Sequence, residues 1–104
     1  MSGERLAALR EMVAADPGDL LARLLLGREL LAAGDPAGAV EHLGRYVERF
    51  EGDKGAAYGS LAEALALLGR PDDARAALDA GIGNARSHRH LGLVATLEEQ
   101  REAL

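Results

Sequence analysis

The sequence repeats itself at a spacing of 35 residues, and this repeat limits the fold more than any other feature of the chain. Gly34 and Pro36 recur as Gly69 and Pro71. Four apolar positions recur in the same register: Leu26, Leu30, Ala39 and Leu43 correspond to Leu61, Leu65, Ala74 and Leu78. A chance match between two leucine-rich segments would align the leucines but not the glycine–proline turn as well. The spacing therefore indicates two copies of one structural unit.

Each unit is predicted to consist of two helices joined by a short turn. Alanine and leucine dominate the chain and favour helix, whereas the six β-branched residues are too few to build a sheet. Gly34 suits the left-handed position that ends a helix, and Pro36 suits the first turn of the next one. A short turn makes the two helices antiparallel, and one such hairpin must stack on a neighbour to bury its apolar faces. We therefore predict an all-α fold of stacked antiparallel hairpins.

Turn residues divide the chain into about six predicted helices. The first four cover about residues 3–15, 18–33, 36–50 and 54–68. The fifth begins at Pro71 and is broken by Gly81 and Gly83, and the sixth and longest covers about 84–103. A chain of 104 residues fits a single domain. We divide it into a partial repeat at 1–17, full units at 18–53 and 54–83, and a C-terminal capping helix at 84–104.

At these positions the chain resembles the tetratricopeptide-repeat family. Large and small residues alternate from Leu26-Gly27 to Leu43 in a pattern similar to the family's signature, and the pattern repeats from Leu61-Ala62 to Leu78. The resemblance implies a concave groove that is lined by the first helix of each unit and binds a protein or peptide. Carried onto this chain, the lining consists of Leu21, Leu24, Arg28, Leu31, Ala56, Gly59, Glu63 and Ala66.

This groove has the composition of an apolar docking channel. Leu21, Leu24 and Leu31 form one wall, while the small residues of the second unit leave room opposite. Such a channel suits an extended or helical segment with apolar anchors. Arg28 and Glu63 would fix the direction of that segment by charge. The alternative is that helices of the same chain, including the C-terminal one, fill the groove.

Sequence motifs for catalysis, cofactors and metals are absent. There is no cysteine, and no serine lies in a Gly-x-Ser-x-Gly turn. Gly81-Ile82-Gly83 lacks the third glycine of a dinucleotide-binding loop. His88 and His90 are two residues apart, so a helix would turn them to opposite sides and they could not chelate one ion. We predict a non-enzymatic protein with no cofactor and no metal.

One basic cluster interrupts an otherwise acidic chain: Arg86, His88, Arg89 and His90. We favour its interpretation as a solvated helix start that pairs with the acidic loop 51–53. The alternative is an anion-binding clamp, because arginine forms paired hydrogen bonds to carboxylates.

Net charge and hydropathy limit the kinds of molecule that the chain is expected to bind and the compartment in which it is expected to act. The net charge of −5 argues against binding to nucleic acid, which requires a basic surface. The N-terminal residues lack the basic start and apolar core of a secretory signal, and the apolar runs are too short to span a membrane. We therefore predict a cytoplasmic adaptor that binds a protein or peptide. The alternative is a structural unit that forms homodimers through exposed apolar helix faces.

Overall fold

The computed structural model describes residues 2–104 and consists of six α-helices joined by short turns. They are α1 (Ser2–Ala15), α2 (Leu20–Ala32), α3 (Pro36–Arg49), α4 (Gly55–Leu67), α5 (Pro71–Ser87) and α6 (Leu91–Glu102). No strand occurs in this part of the chain, so the prediction of an all-α fold with about six helices is confirmed. None of the six helices is long and apolar enough to cross a membrane.

The two glycine–proline turns have the same geometry. Gly34 and Gly69 adopt positive φ angles of 84° and 72°. In each turn the residue after the glycine donates its N–H to a carbonyl five residues earlier, at 2.8 Å in the first turn and 3.0 Å in the second. Glycine takes this left-handed conformation without a clash from a β-carbon. The repeated turn predicted from the sequence is therefore present.

Small residues let the two helices of each hairpin approach closely. Ala39 and Ala74 are completely buried. A β-carbon on Gly27 would lie 2.7 Å from Cγ of Leu43, so no side chain fits between α2 and α3 at that point. The largest fully buried side chains are leucines from four helices, α2, α3, α5 and α6: Leu26, Leu30, Leu43, Leu78 and Leu97. One apolar core thus runs through the whole array.

The helices stack in a regular order. α4 packs on α3 and α2, and α6 packs on α5 and α4 in the same way. The helix α6 therefore stands where the first helix of a further unit would stand, and α1, which packs on α2, stands where the second helix of a preceding unit would stand. The assignment of residue ranges to repeat units remains an interpretation of this order.

The predicted helix break at Gly81 and Gly83 is wrong. Both glycines lie inside α5, which has 17 residues, whereas α6, expected to be the longest helix, has 12. Gly81 permits close packing, because a β-carbon there would lie 2.7 Å from Cβ of Tyr58. The chain turns instead at Arg89, whose φ is 56°, and the N–H that follows it bonds to a carbonyl five residues earlier at 2.8 Å. The boundary predicted between residues 83 and 84 thus falls within a helix.

Candidate partner-binding face

The predicted groove residues of α2 lie on one side of that helix. Leu21, Leu24, Arg28 and Leu31 are three or four residues apart, a spacing that places side chains on one helix face. Leu21 is 63% exposed, whereas Leu24 and Leu31 are half-buried and rest against the core. Arg28 is exposed. We call the surface formed by this side of α2 and by the corresponding sides of α4 and α6 the inner face.

The predicted groove residues of α4 do not all reach solvent. Ala56 and Glu63 are exposed and Ala66 is half-buried. Gly59 is buried: a β-carbon there would lie 3.0 Å from Cδ2 of Leu97, and the Gly59 carbonyl accepts a hydrogen bond from Nε2 of Gln100 at 2.8 Å. The room predicted beside Gly59 is therefore filled by α6.

A cleft of about 340 Å³ continues the inner face between α4 and the end of α6. It is lined by Ala62, Glu63, Ala66, Leu67, Gln100, Ala103 and Leu104. Leu67 is 64% exposed and Leu104 is 36% exposed. Leu67 and the residues of α6 were not predicted to line the groove, because Leu67 corresponds to Ala32, a small residue, and α6 lies outside the two aligned copies.

The inner face carries two charges of opposite sign. Neither Arg28 nor Glu63 forms an ion pair with any residue in the range 2–104. Both side chains therefore remain available for contacts with another molecule. The same range contains no group of three or more histidine, cysteine, aspartate or glutamate side chains placed to hold a metal ion.

The basic cluster lies at the end of α5 and in the turn that leads into α6, whose N-cap is His90, and not at the helix start predicted near residue 84. Nη2 of Arg86 lies 3.2 Å from Oε2 of Glu98, and Nδ1 of His90 lies 3.2 Å from Oδ2 of Asp53. Nδ1 of His88 lies 2.9 Å from a backbone carbonyl of α5. Two of the four residues thus contact carboxylates of their own chain, as in the solvated-surface interpretation, and exposed pairs of this kind contribute little to stability.

Comparison with known proteins identifies the family. The sequence model of the family described as tetratricopeptide repeat matches residues 30–97 of this chain. Among solved structures, the crystal structure of MamA matches with a TM-score of 0.70 and 25% sequence identity, over 93% of this chain and 58% of that chain. This chain thus spans little more than half of MamA, and no curated protein matches it in sequence. The chain belongs to the tetratricopeptide-repeat family, whose members are generally non-catalytic modules for protein interaction.

Proposed function

We propose that the chain is a non-enzymatic adaptor that binds a protein or peptide partner on its inner face. The observation that carries this proposal is the exposure of large apolar side chains there, with Leu21 63% and Leu67 64% exposed. Leu21 lies at the start of α2 and Leu67 at the end of α4, so each provides an apolar anchor, and burying them against a partner would remove them from water. The interaction role that is general for the family supports the same conclusion.

The chemistry of the inner face suits a partner segment with apolar anchors. Leu21, Leu24 and Leu31 offer a stripe along α2, and the cleft beside Leu67 has the size of a small ligand pocket, with space for an apolar side chain. The opposite charges of Arg28 and Glu63 would orient the segment. We propose that the chain needs no cofactor and does not bind nucleic acid. We also propose a cytoplasmic location, because a chain without cysteine suits a reducing compartment.

Three exposed apolar residues provide a matched test. Leu21→Glu and Leu67→Glu place a charge on the inner face, and Met12→Glu places the same charge on α1, where Met12 is 47% exposed. A partner captured from the source cell with the unmodified chain is then titrated against each variant. We expect the two inner-face variants to lose most of the affinity and Met12→Glu to retain it, since apolar anchors carry much of the binding energy.

Circular dichroism of the three variants serves as the control for folding, because all three positions are exposed. Equal weakening by Met12→Glu, or unchanged affinity in both inner-face variants, would show that the partner docks elsewhere.

Self-association through apolar helix faces is the alternative function. It is favoured by the number of exposed large apolar side chains in the described part of the chain: Met12, Leu21, Leu67, Leu68, Leu91 and Leu104. Sedimentation at increasing protein concentration separates the two. A protein that stays monomeric removes the alternative, whereas a dimer that Leu21→Glu dissociates would assign the inner face to a second copy of this chain.

A further inference from the structure

A cleft of about 350 Å³ lies between the turn that joins α1 to α2 and the last turns of α3, and it contains three arginines. Its lining consists of Pro17, Gly18, Leu20, Arg23, Arg45 and Arg49. Arg45 and Arg49 are four residues apart on α3, so their side chains leave the helix on the same side. We call this site the arginine cleft.

The arginines of this cleft have no carboxylate partner. Within residues 2–104, none of the three forms an ion pair. Arg23 is held in place by neutral groups: its Nε donates to the carbonyl of Pro17 at 2.9 Å, and its Nη1 lies 3.1 Å from Nδ1 of His42. Three guanidinium groups thus line one cleft without an ion-pair partner, in a chain whose net charge is −5.

His42 contacts Arg23 at the edge of this site. Burial lowers the pKa of His42; Glu41 acts in the opposite direction, and Arg23 and Arg10 lower it further. A neutral His42 can accept the hydrogen bond that Arg23 donates. The imidazole therefore orients Arg23 at neutral pH without adding a fourth positive charge.

The second hairpin shows that the fold does not require these arginines. The positions 35 residues after Arg23, Arg45 and Arg49 carry Tyr58, Ala80 and Asn84. There the side chain of Asn84 bonds to the backbone of the loop before α4. Its Oδ1 accepts the N–H of Lys54 at 2.9 Å, and its Nδ2 donates to the carbonyl of Gly52 at 3.2 Å. The first hairpin has Arg49 in place of Asn84, beside an open cleft.

We infer that the arginine cleft binds a compact phosphate group, either inorganic phosphate or a phosphate monoester. The planar guanidinium fork matches the geometry of phosphate oxygens and can donate two hydrogen bonds to them at once. Three arginines can meet the terminal oxygens of one dianion. A compact anion is favoured over an extended acidic chain, because a long polyanion would also cross the acidic remainder of the surface, including Asp16 and Glu48 next to the cleft.

The test is a titration with inorganic phosphate at constant ionic strength, followed by ¹H–¹⁵N NMR. The reporters are the amides of Gly18 and Leu20 and the Nε–H signals of the cleft arginines. We expect shifts that saturate with phosphate and are absent with an equal ionic strength of chloride. Phosphoserine, titrated in the same way, distinguishes the source: tighter binding than inorganic phosphate assigns a phosphate ester, and weaker binding assigns the free ion.

Two double variants carry the same change in net charge. Arg45→Ala with Arg49→Asn copies the second hairpin and should weaken phosphate binding by about tenfold or more, since the hydrogen bonds that both guanidinium groups donate to the phosphate are lost. Arg86→Ala with Arg89→Asn alters the distant basic cluster and should leave the affinity unchanged. All four arginines are exposed, so both variants can fold.

Three results would overturn the inference. The first is a shift that never saturates or that chloride reproduces. The second is an equal loss of affinity in the two double variants, which would mean that only the overall charge matters. The third is binding of a polyglutamate peptide in the cleft without binding of phosphate, which would assign the arginines to a carboxylate-bearing partner.

Discussion

The hairpins α2–α3 and α4–α5 have the same turn and share several core positions but differ at others. Ala39 and Leu43 in the first hairpin correspond to Ala74 and Leu78 in the second, and all four are completely buried. Tyr46, by contrast, corresponds to Gly81, and both are buried. The repeat therefore specifies a small set of core positions and leaves the remaining positions free to take on different roles.

The second hairpin supports the next helix of the array. A β-carbon on Gly55 would lie 2.9 Å from Cδ2 of Leu93, and one on Gly59 would lie 3.0 Å from Cδ2 of Leu97. These glycines therefore let α6 approach α4 closely. The first hairpin has Leu20 and Leu24 at the corresponding positions and keeps apolar bulk there instead.

The equivalence of the two hairpin cores can be broken by overpacking. Ala39→Leu and Ala74→Leu should each lower the free energy of unfolding by about 1–3 kcal/mol, because neither close helix crossing has space for a larger side chain. Urea denaturation of both variants measures this loss. If only one variant loses stability, the two positions are not equivalent and the repeat register is wrong.

The continuity of α5 distinguishes the second hairpin from the first, whose second helix has 14 residues against 17. Gly83→Ala should raise the free energy of unfolding by about 0.5–1 kcal/mol, since a β-carbon there meets nothing within 4 Å and alanine favours helix. Gly81→Ala should lower it by about 1 kcal/mol, because overpacking against Tyr58 outweighs that gain.

Thermal and urea denaturation of the two glycine variants provide the measurement. Equal and small effects at both positions would contradict the tight packing at Gly81. A loss of stability in Gly83→Ala would mean that the chain bends there.

The smallest expected effect concerns His42, where the second hairpin has Ala77. Because the pKa of His42 is lowered in the folded protein, the unfolded chain binds a proton more readily as the pH falls below about 6.5. The free energy of unfolding therefore falls as the pH drops from the unfolded to the folded pKa of His42, stays lower below that range, and is unaffected by this group above it.

Urea denaturation at several pH values between 5 and 8 tests this sign. The unmodified chain should lose stability on acidification more steeply than His42→Ala. An identical slope in the two proteins would contradict the shift at His42.

Much of the fold could be predicted from the sequence because glycine and proline indicate the positions of turns. Gly34 and Gly69 take positive φ angles, as their positions indicate. The turn between α5 and α6 was not predicted, because Arg89 takes the same left-handed conformation although it is not a glycine. Gly81 was misread since its role depends on Tyr58, a contact between helices that are distant in sequence. Local sequence signals fail at positions where tertiary packing determines the role of the residue.

The candidate sites were less predictable for a related reason. Spacing along α2 placed Leu21 and Arg28 on an exposed face, but it could not reveal that α6 covers Gly59. The arginine cleft depends on where Arg45 and Arg49 point relative to a turn in another segment. A position-by-position comparison of the two hairpins would have supplied the signal, since both arginines are replaced by neutral residues in the second copy.

Hydrogen exchange of backbone amides, measured by mass spectrometry with and without the captured partner, tests the proposed docking surface most directly. We expect added protection in the segments 21–31 and 56–67 and in the last turn of α6, with α1 and α3 unchanged, because the partner packs on the inner face. Protection confined to α1 and α3, or to residues 86–90, would contradict it.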